Sequence, residues 1–323
     1  LKHHRKLHYF LKQQYFYWRL LMNRSSRQIF TKVIFAAAAA ALVCGTALAA
    51  PAKLERKILK HDGLTTEVFA QGKGPIIVIL PSLGRSVRDY DAVSANLAKA
   101  GFRVIRPEPR GIGASKGPME KQTMHDFAKG IAYVIEAQKK GPVVVVGHAW
   151  GNFEARQLAT DRPDLVRGVV IAAGSAGKVP ADSKEVPINA DMRKAIDGAG
   201  DLTLSDAQRL EYLKIAFFAP GNDATVWMNG WYPATNEAES WARNNTPVDD
   251  YFAGGSAPIL DLQAEDDPVA PRRFAGVLKS MVGDRVEIVV IPHASHALAP
   301  EQPQAMSDAI AAFAHRVYAK PAK

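Results

Sequence analysis

Cysteine is almost missing from this 323-residue chain: the single one, Cys44, falls in a segment expected to be removed before the protein works. The mature chain would then hold no disulfide, no thiol nucleophile and no thiolate metal site. Acidic residues are missing from the first fifty positions, which carry eight Lys or Arg, so only +1 of the formal charge of +9 falls on residues 51–323. A nearly neutral body gives no electrostatic reason to expect a nucleic-acid partner. There is no His-Glu-x-x-His zinc pattern, no internal repeat, and no low-complexity stretch beyond an alanine run near the start. Neither a metal nor an organic cofactor is expected, and the expected partner is a small molecule.

The chain also lacks an apolar run long enough for a comfortable membrane span, which takes about 20 residues. The run from Val33 to Val43 is short and follows a basic segment that begins after Met22. It leads to Ala47-Leu48-Ala49, an A-x-A cleavage pattern. These are the three regions of a secretory signal, cut before Ala50, with general secretion favoured because no twin-arginine pair is present. The residue before Cys44 is Val43, not the small residue that lipoprotein processing requires. Residues 1–49 are therefore expected to be an N-terminal extension and signal peptide. Within them, residues 1–21 are read as an over-extension of the gene. Residues 50–323 would be a periplasmic or secreted body with no stable membrane anchor.

Along that body, apolar runs alternate with helix-length segments. Thr65–Ala70, Ile76–Leu80, Phe102–Ile105, Val143–Val146, Val166–Ala172, Pro258–Gln263 and Val286–Ile291 read as strands. Helical spacing marks Asp89–Ala100, residues 121–140, the stretch to Asp161, Arg272–Met281 and Pro303–Tyr318. Strands separated by helices predict an α/β fold with a mostly parallel sheet covered on both faces. The alternation lapses between about 178 and 254, where Phe217, Phe218, Trp227, Trp231, Tyr232 and Trp241 occur. A helical lid over the strand ends is expected there. Most of these aromatics should pack the lid onto the body.

Four consecutive valines, Val143–Val146, run into Gly147-His148-Ala149-Trp150-Gly151. A buried strand followed by Gly-x-x-x-Gly and a helical pattern resembles the nucleophile elbow of the α/β-hydrolase superfamily. The resemblance extends in order from about residue 64 to the C-terminus. It includes Pro81-Ser82-Leu83-Gly84 in place of the His-Gly oxyanion loop, and Arg110-Gly111-Ile112-Gly113-Ala114-Ser115. Further on come Glu265-Asp266-Asp267-Pro268 as an acid loop and Pro292-His293-Ala294-Ser295-His296 as a histidine loop. The α/β-hydrolase fold is the implied architecture. The resemblance also implies Asp267 as the acid, His296 as the base, and the backbone N–H groups of Trp150 and Leu83 as the oxyanion hole. His148 and His293 are read as structural. Asp266 is the better candidate for a local turn role, and a helix-capping role for Asp267 stays open.

At the seat of the nucleophile stands Ala149, which has no attacking atom. Three readings follow. In the first, the His296–Asp267 dyad acts by general-base chemistry on an ester-like or activated small substrate. In the second, Ser82 on the first loop is a displaced nucleophile; the alternative for Ser82 is a turn residue. In the third, the protein is a non-catalytic relative that binds a small apolar ligand under the lid. The glycines of Gly111–Gly117 lack the Rossmann spacing, and Pro118 delays the helix, so no dinucleotide site is expected.

Overall fold

The computed structural model describes residues 52–180 and 183–320. The expected signal segment and Cys44 lie outside the described residues. Eight strands form one sheet: β1 (Glu55–His61), β2 (Leu64–Gly72), β3 (Ile76–Leu80), β4 (Arg103–Pro107), β5 (Val143–His148), β6 (Val166–Ala172), β7 (Ile259–Ala264) and β8 (Val286–Ile291). Their order is β1-β2-β4-β3-β5-β6-β7-β8. The β1–β2 and β2–β4 pairs are antiparallel, and every pair from β4 through β8 is parallel.

The helices are α1 (Asp91–Lys99), α2 (Met124–Glu136), α3 (Gly151–Asp161), α4 (Ala190–Gly200), α5 (Asp206–Ala216), α6 (Pro233–Asn244), α7 (Val248–Tyr251), α8 (Gly276–Val282), α9 (Leu298–Glu301) and α10 (Pro303–Ala319). Helix α2 starts at a capping box in which Thr123 and Asp126 each accept the other's backbone N–H. That reciprocal pair satisfies two donors which a helix start otherwise leaves open.

Strand β5 sits at the centre and explains its own composition. All four valines are fully buried. Val144 and Val146 face one apolar core with α1 and α10, while Val143 and Val145 face the other with α2 and α3. Period-two alternation sends neighbours to opposite faces, so a strand covered on both sides must be apolar at every position. Burying one valine contributes about 1.5 kcal/mol or more.

Two departures from the sequence reading have simple causes. Strand β1 has no apolar alternation, because its residues ERKILKH form a charged edge with only Glu55 and Leu59 partly buried. Charged edge strands discourage pairing with other chains, and the same charges hide them from a hydrophobicity pattern. The expected helix Arg272–Met281 divides into a 3-10 turn, Arg272–Phe274, and α8 beginning at Gly276. Glycine is a poor helix former.

Candidate active site

Between β5 and α3 the chain makes a tight turn. Ala149 lies at φ +49°, in the left-handed region that an alanine enters only under strain. The flanking glycines are there for space. A Cβ on Gly147 would stand 2.2 Å from the carbonyl oxygen of Gly151, and one on Gly151 would stand 2.6 Å from that of Pro81. The tight strand-to-helix turn expected here is present, with alanine at its centre.

His296 and Asp267 come together from the loops after β8 and β7. His296 Nδ1 lies 2.9 Å from Asp267 Oδ2, with both side chains buried. A carboxylate only accepts, so Nδ1 carries the proton and Nε2 of the neutral ring keeps a lone pair. Nε2 has no hydrogen-bond partner among the described residues, and the ring lines a cavity of about 1200 Å³. The other Asp267 oxygen, Oδ1, accepts the N–H groups of Val269 and Ala270, both at 2.8 Å. Asp267 thus serves its own turn with one oxygen and the imidazole with the other.

The Asp266 side chain makes no such pairing, although its backbone N–H donates to Ala294 O at 2.9 Å. Glu301, whose carboxyl burial raises above the usual carboxylate range, accepts the Ser295 N–H at 2.6 Å and so braces the histidine loop.

Ala149, Ser82, Leu83 and Trp150 line the same cavity as His296. Neither the Leu83 nor the Trp150 N–H donates to an acceptor among the described residues, whereas their neighbours on the first loop do. The Ser82 N–H donates to Tyr90 Oη at 3.1 Å, and the Gly84 N–H to Glu239 Oε2 at 2.7 Å. Ser82 also caps a turn, its carbonyl accepting the Arg85 N–H at 3.1 Å. Among the described residues its hydroxyl makes no hydrogen bond to His296.

His148 is wholly buried and links the two loops. It lies 2.5 Å from Tyr90 Oη through Nδ1 and 2.7 Å from the carbonyl of His296 through Nε2. A carbonyl requires Nε2 to be the donor, so Nδ1 accepts the Tyr90 hydroxyl proton. Burial, with the nearby His296 ring adding to it, pushes the His148 pKa down to about 3. His293, at φ +53°, is an exposed turn residue whose carbonyl accepts from Asn222 and Gln302.

The helices between β6 and β7 supply much of the far wall. Phe217 and Trp231 line the cavity, Trp227 is fully buried, and Trp241 is exposed. The Phe217 ring packs 5.7 Å from that of His296. Sequence reasoning missed Arg85, Tyr90 and Glu239. Arg85 is buried, with its guanidinium 4.5 Å and 4.7 Å from the rings of Trp227 and Trp231 and paired with Asp89 at 2.8 Å. A charged residue directly after the first loop was the available signal, but nothing local says that it turns inward. Among the described residues, no group of three or more His, Cys, Asp or Glu is placed to hold a metal ion.

Residues 75–303 match the family described as alpha/beta hydrolase fold. This chain belongs to the α/β-hydrolase family. A Variovorax paradoxus protein named "Putative carbamate hydrolase RutD" is 26% identical over 268 residues, 78% of this chain and 96% of its own. Mouse mitochondrial palmitoyl-protein thioesterase ABHD10 is 22% identical over 230 residues, 70% of each chain. Among solved structures, a thermophilic esterase from Thermogutta terrifontis superposes with a TM-score of 0.65 at 20% identity, covering 81% of this chain and 99% of its own. That last likeness is one of fold. The first of these relatives is named as a hydrolase and the second as a thioesterase, and this chain has alanine at position 149.

Proposed function

We propose that this α/β-hydrolase is an enzyme that hydrolyses an ester-like or otherwise activated substrate without a covalent intermediate. His296 Nε2 would take a proton from a water held over Ala149. Asp267 would hold the imidazole in the needed tautomer and balance its charge once protonated. The Leu83 and Trp150 N–H groups would stabilise the oxyanion that forms when the water oxygen bonds to the carbonyl carbon. The tetrahedral intermediate would then break its bond to the leaving group, which takes the proton back from His296. The observation that carries this reading is the buried pairing of His296 Nδ1 with Asp267, which leaves Nε2 unpartnered on the cavity.

The cavity, at about 1200 Å³, exceeds the roughly 300–1000 Å³ of common ligand pockets, so there is room for more than the small ester expected at first. Helices α4–α7 are read as the lid. With residues 1–49 read as a cleaved signal, the enzyme would act in the periplasm or outside the cell.

Loss of one triad member leaves only about 10³–10⁴-fold catalysis over water, so ordinary esters should turn over slowly and activated ones detectably. The test is steady-state and stopped-flow hydrolysis of p-nitrophenyl esters. The expected result is linear release of nitrophenol without a burst, abolished by His296→Ala. Ligand binding that survives in a protein with no His296-dependent turnover would favour the binding-protein reading. A burst lost in Ser82→Ala would favour the displaced serine.

A further inference from the structure

The loop donor of the proposed oxyanion hole, the Leu83 N–H, stands between two backbone donors that are each tied down by a distant side chain. On one side the Ser82 N–H donates to Tyr90 Oη at 3.1 Å, and Tyr90 is itself held by His148. On the other side the Gly84 N–H donates to Glu239 Oε2 at 2.7 Å. Glu239 projects from α6, between β6 and β7, and is almost wholly buried. Tyr90 is also fully buried.

The contact between the first loop and this helical segment is close along its whole length. The Tyr232 N–H donates to Gly84 O at 3.0 Å, and Arg85 forms an antiparallel bridge with Trp231. A Cβ on Gly84, at φ +61°, would stand 2.7 Å from that of Asn236, so only glycine allows α6 to lie this near. Helix α6 also reaches the residue of the other proposed donor, since Trp150 Nε1 donates to the Glu239 carbonyl at 2.9 Å.

We infer that Glu239 and Tyr90 are positioning residues: by holding the N–H groups on either side of it, they fix the direction in which the Leu83 N–H points. Holding the one peptide plane on each side of the plane that carries the Leu83 N–H leaves that N–H little freedom, and a preorganised donor stabilises developing charge without reorganising. The inference rests on the reading of Leu83 as an oxyanion donor, and it adds that a residue of the helical insertion shapes that donor. Burial raises the Glu239 carboxyl well above the usual range, with the nearby Glu154 adding to the shift. The raised pKa favours the uncharged carboxyl, and a glutamine amide oxygen can accept the same N–H.

The test uses binding, so it does not depend on turnover. Affinities of the full-length protein are measured for the monoanion of phenyl hexylphosphonate, whose charged oxygens mimic the oxyanion, and for the neutral phenyl hexyl sulfone. The wild-type protein is expected to prefer the phosphonate. Glu239→Leu and Tyr90→Phe are each expected to lose about ten- to a hundred-fold in phosphonate affinity, a part of the effect of deleting a donor outright, while sulfone affinity stays unchanged. Glu239→Gln should keep the preference. Tyr90→Phe retains its ring, so the test stands even where Glu239→Leu does not fold. A wild-type protein without the preference overturns the oxyanion-hole reading itself. A preference kept in full by Tyr90→Phe, or by a folded Glu239→Leu, overturns this inference and leaves that reading intact. Equal loss for both ligands marks a merely structural role and also overturns it.

Discussion

The Nε2 proton of His148 is donated to the backbone carbonyl of His296 at 2.7 Å, so the residue before Ala149 holds the loop that carries His296. The ring stays neutral because burial lowers its pKa to about 3. In the unfolded chain an ordinary histidine titrates near 6.5. The depressed folded value means that the unfolded state binds the proton first. The stability contributed by neutral His148 is therefore present above about pH 6.5 and is lost as pH falls from there toward 3. Urea unfolding across this range should show it. His148→Gln keeps an N–H for the carbonyl and does not titrate. It should lower the pH dependence by up to about 1.4 kcal/mol per pH unit. An unchanged slope would show that the ring is protonated in the folded protein.

Glu154 on α3 predicts the opposite trend. It is buried, its carboxyl makes no hydrogen bond among the described residues, and burial raises its pKa to about 7, with Arg110 partly offsetting the shift. A raised carboxyl favours folding while it is protonated in both states. That contribution is fully present below about pH 4.5 and declines as pH rises through 7. Glu154→Gln should stabilise the protein by about 1–3 kcal/mol at pH 8 and change little at pH 4. Thermal melts at the two pH values distinguish this from a general packing effect, which would appear at both.

The dyad predicts a specific consequence for Asp267. Asp267→Asn keeps the shape of the side chain but places an N–H where His296 needs an acceptor, which favours the wrong ring tautomer. Its kcat on an activated ester should fall by about 10²–10⁴, with KM little changed. A loss confined to KM would place Asp267 in binding instead.

How much of this could be read beforehand depended on whether the signal was local. The valines of β5 and the glycines at 147 and 151 announce a strand and a tight turn by their chemistry alone, and both stand where the pattern put them. The pairing of Asp267 with His296 was legible through chain order, each in a loop after a strand, and the two side chains meet at 2.9 Å. Glu239 was not legible, because its only signature is a hydrogen bond across 155 positions to a backbone N–H. Arg85 was not legible either, because it packs on tryptophans 227 and 231, whose approach from a distant part of the chain no local pattern reveals. Strand β1 failed for the reverse reason, since its charged residues suit an edge and carry no apolar period.

On the proposed reading, this site has a base, its acid partner and an oxyanion hole, and lacks only the attacking oxygen at Ala149. The most direct test is labelling by a fluorophosphonate probe, with intact mass spectrometry to locate the adduct. Wild-type protein should remain unlabelled. Ala149→Ser should be labelled at the substituted position and should gain about 10³-fold or more in ester kcat/KM, and adding His296→Ala should remove both effects. A folded Ala149→Ser protein that neither labels nor gains activity would contradict the account, as would a wild-type protein that labels at any serine of the cavity.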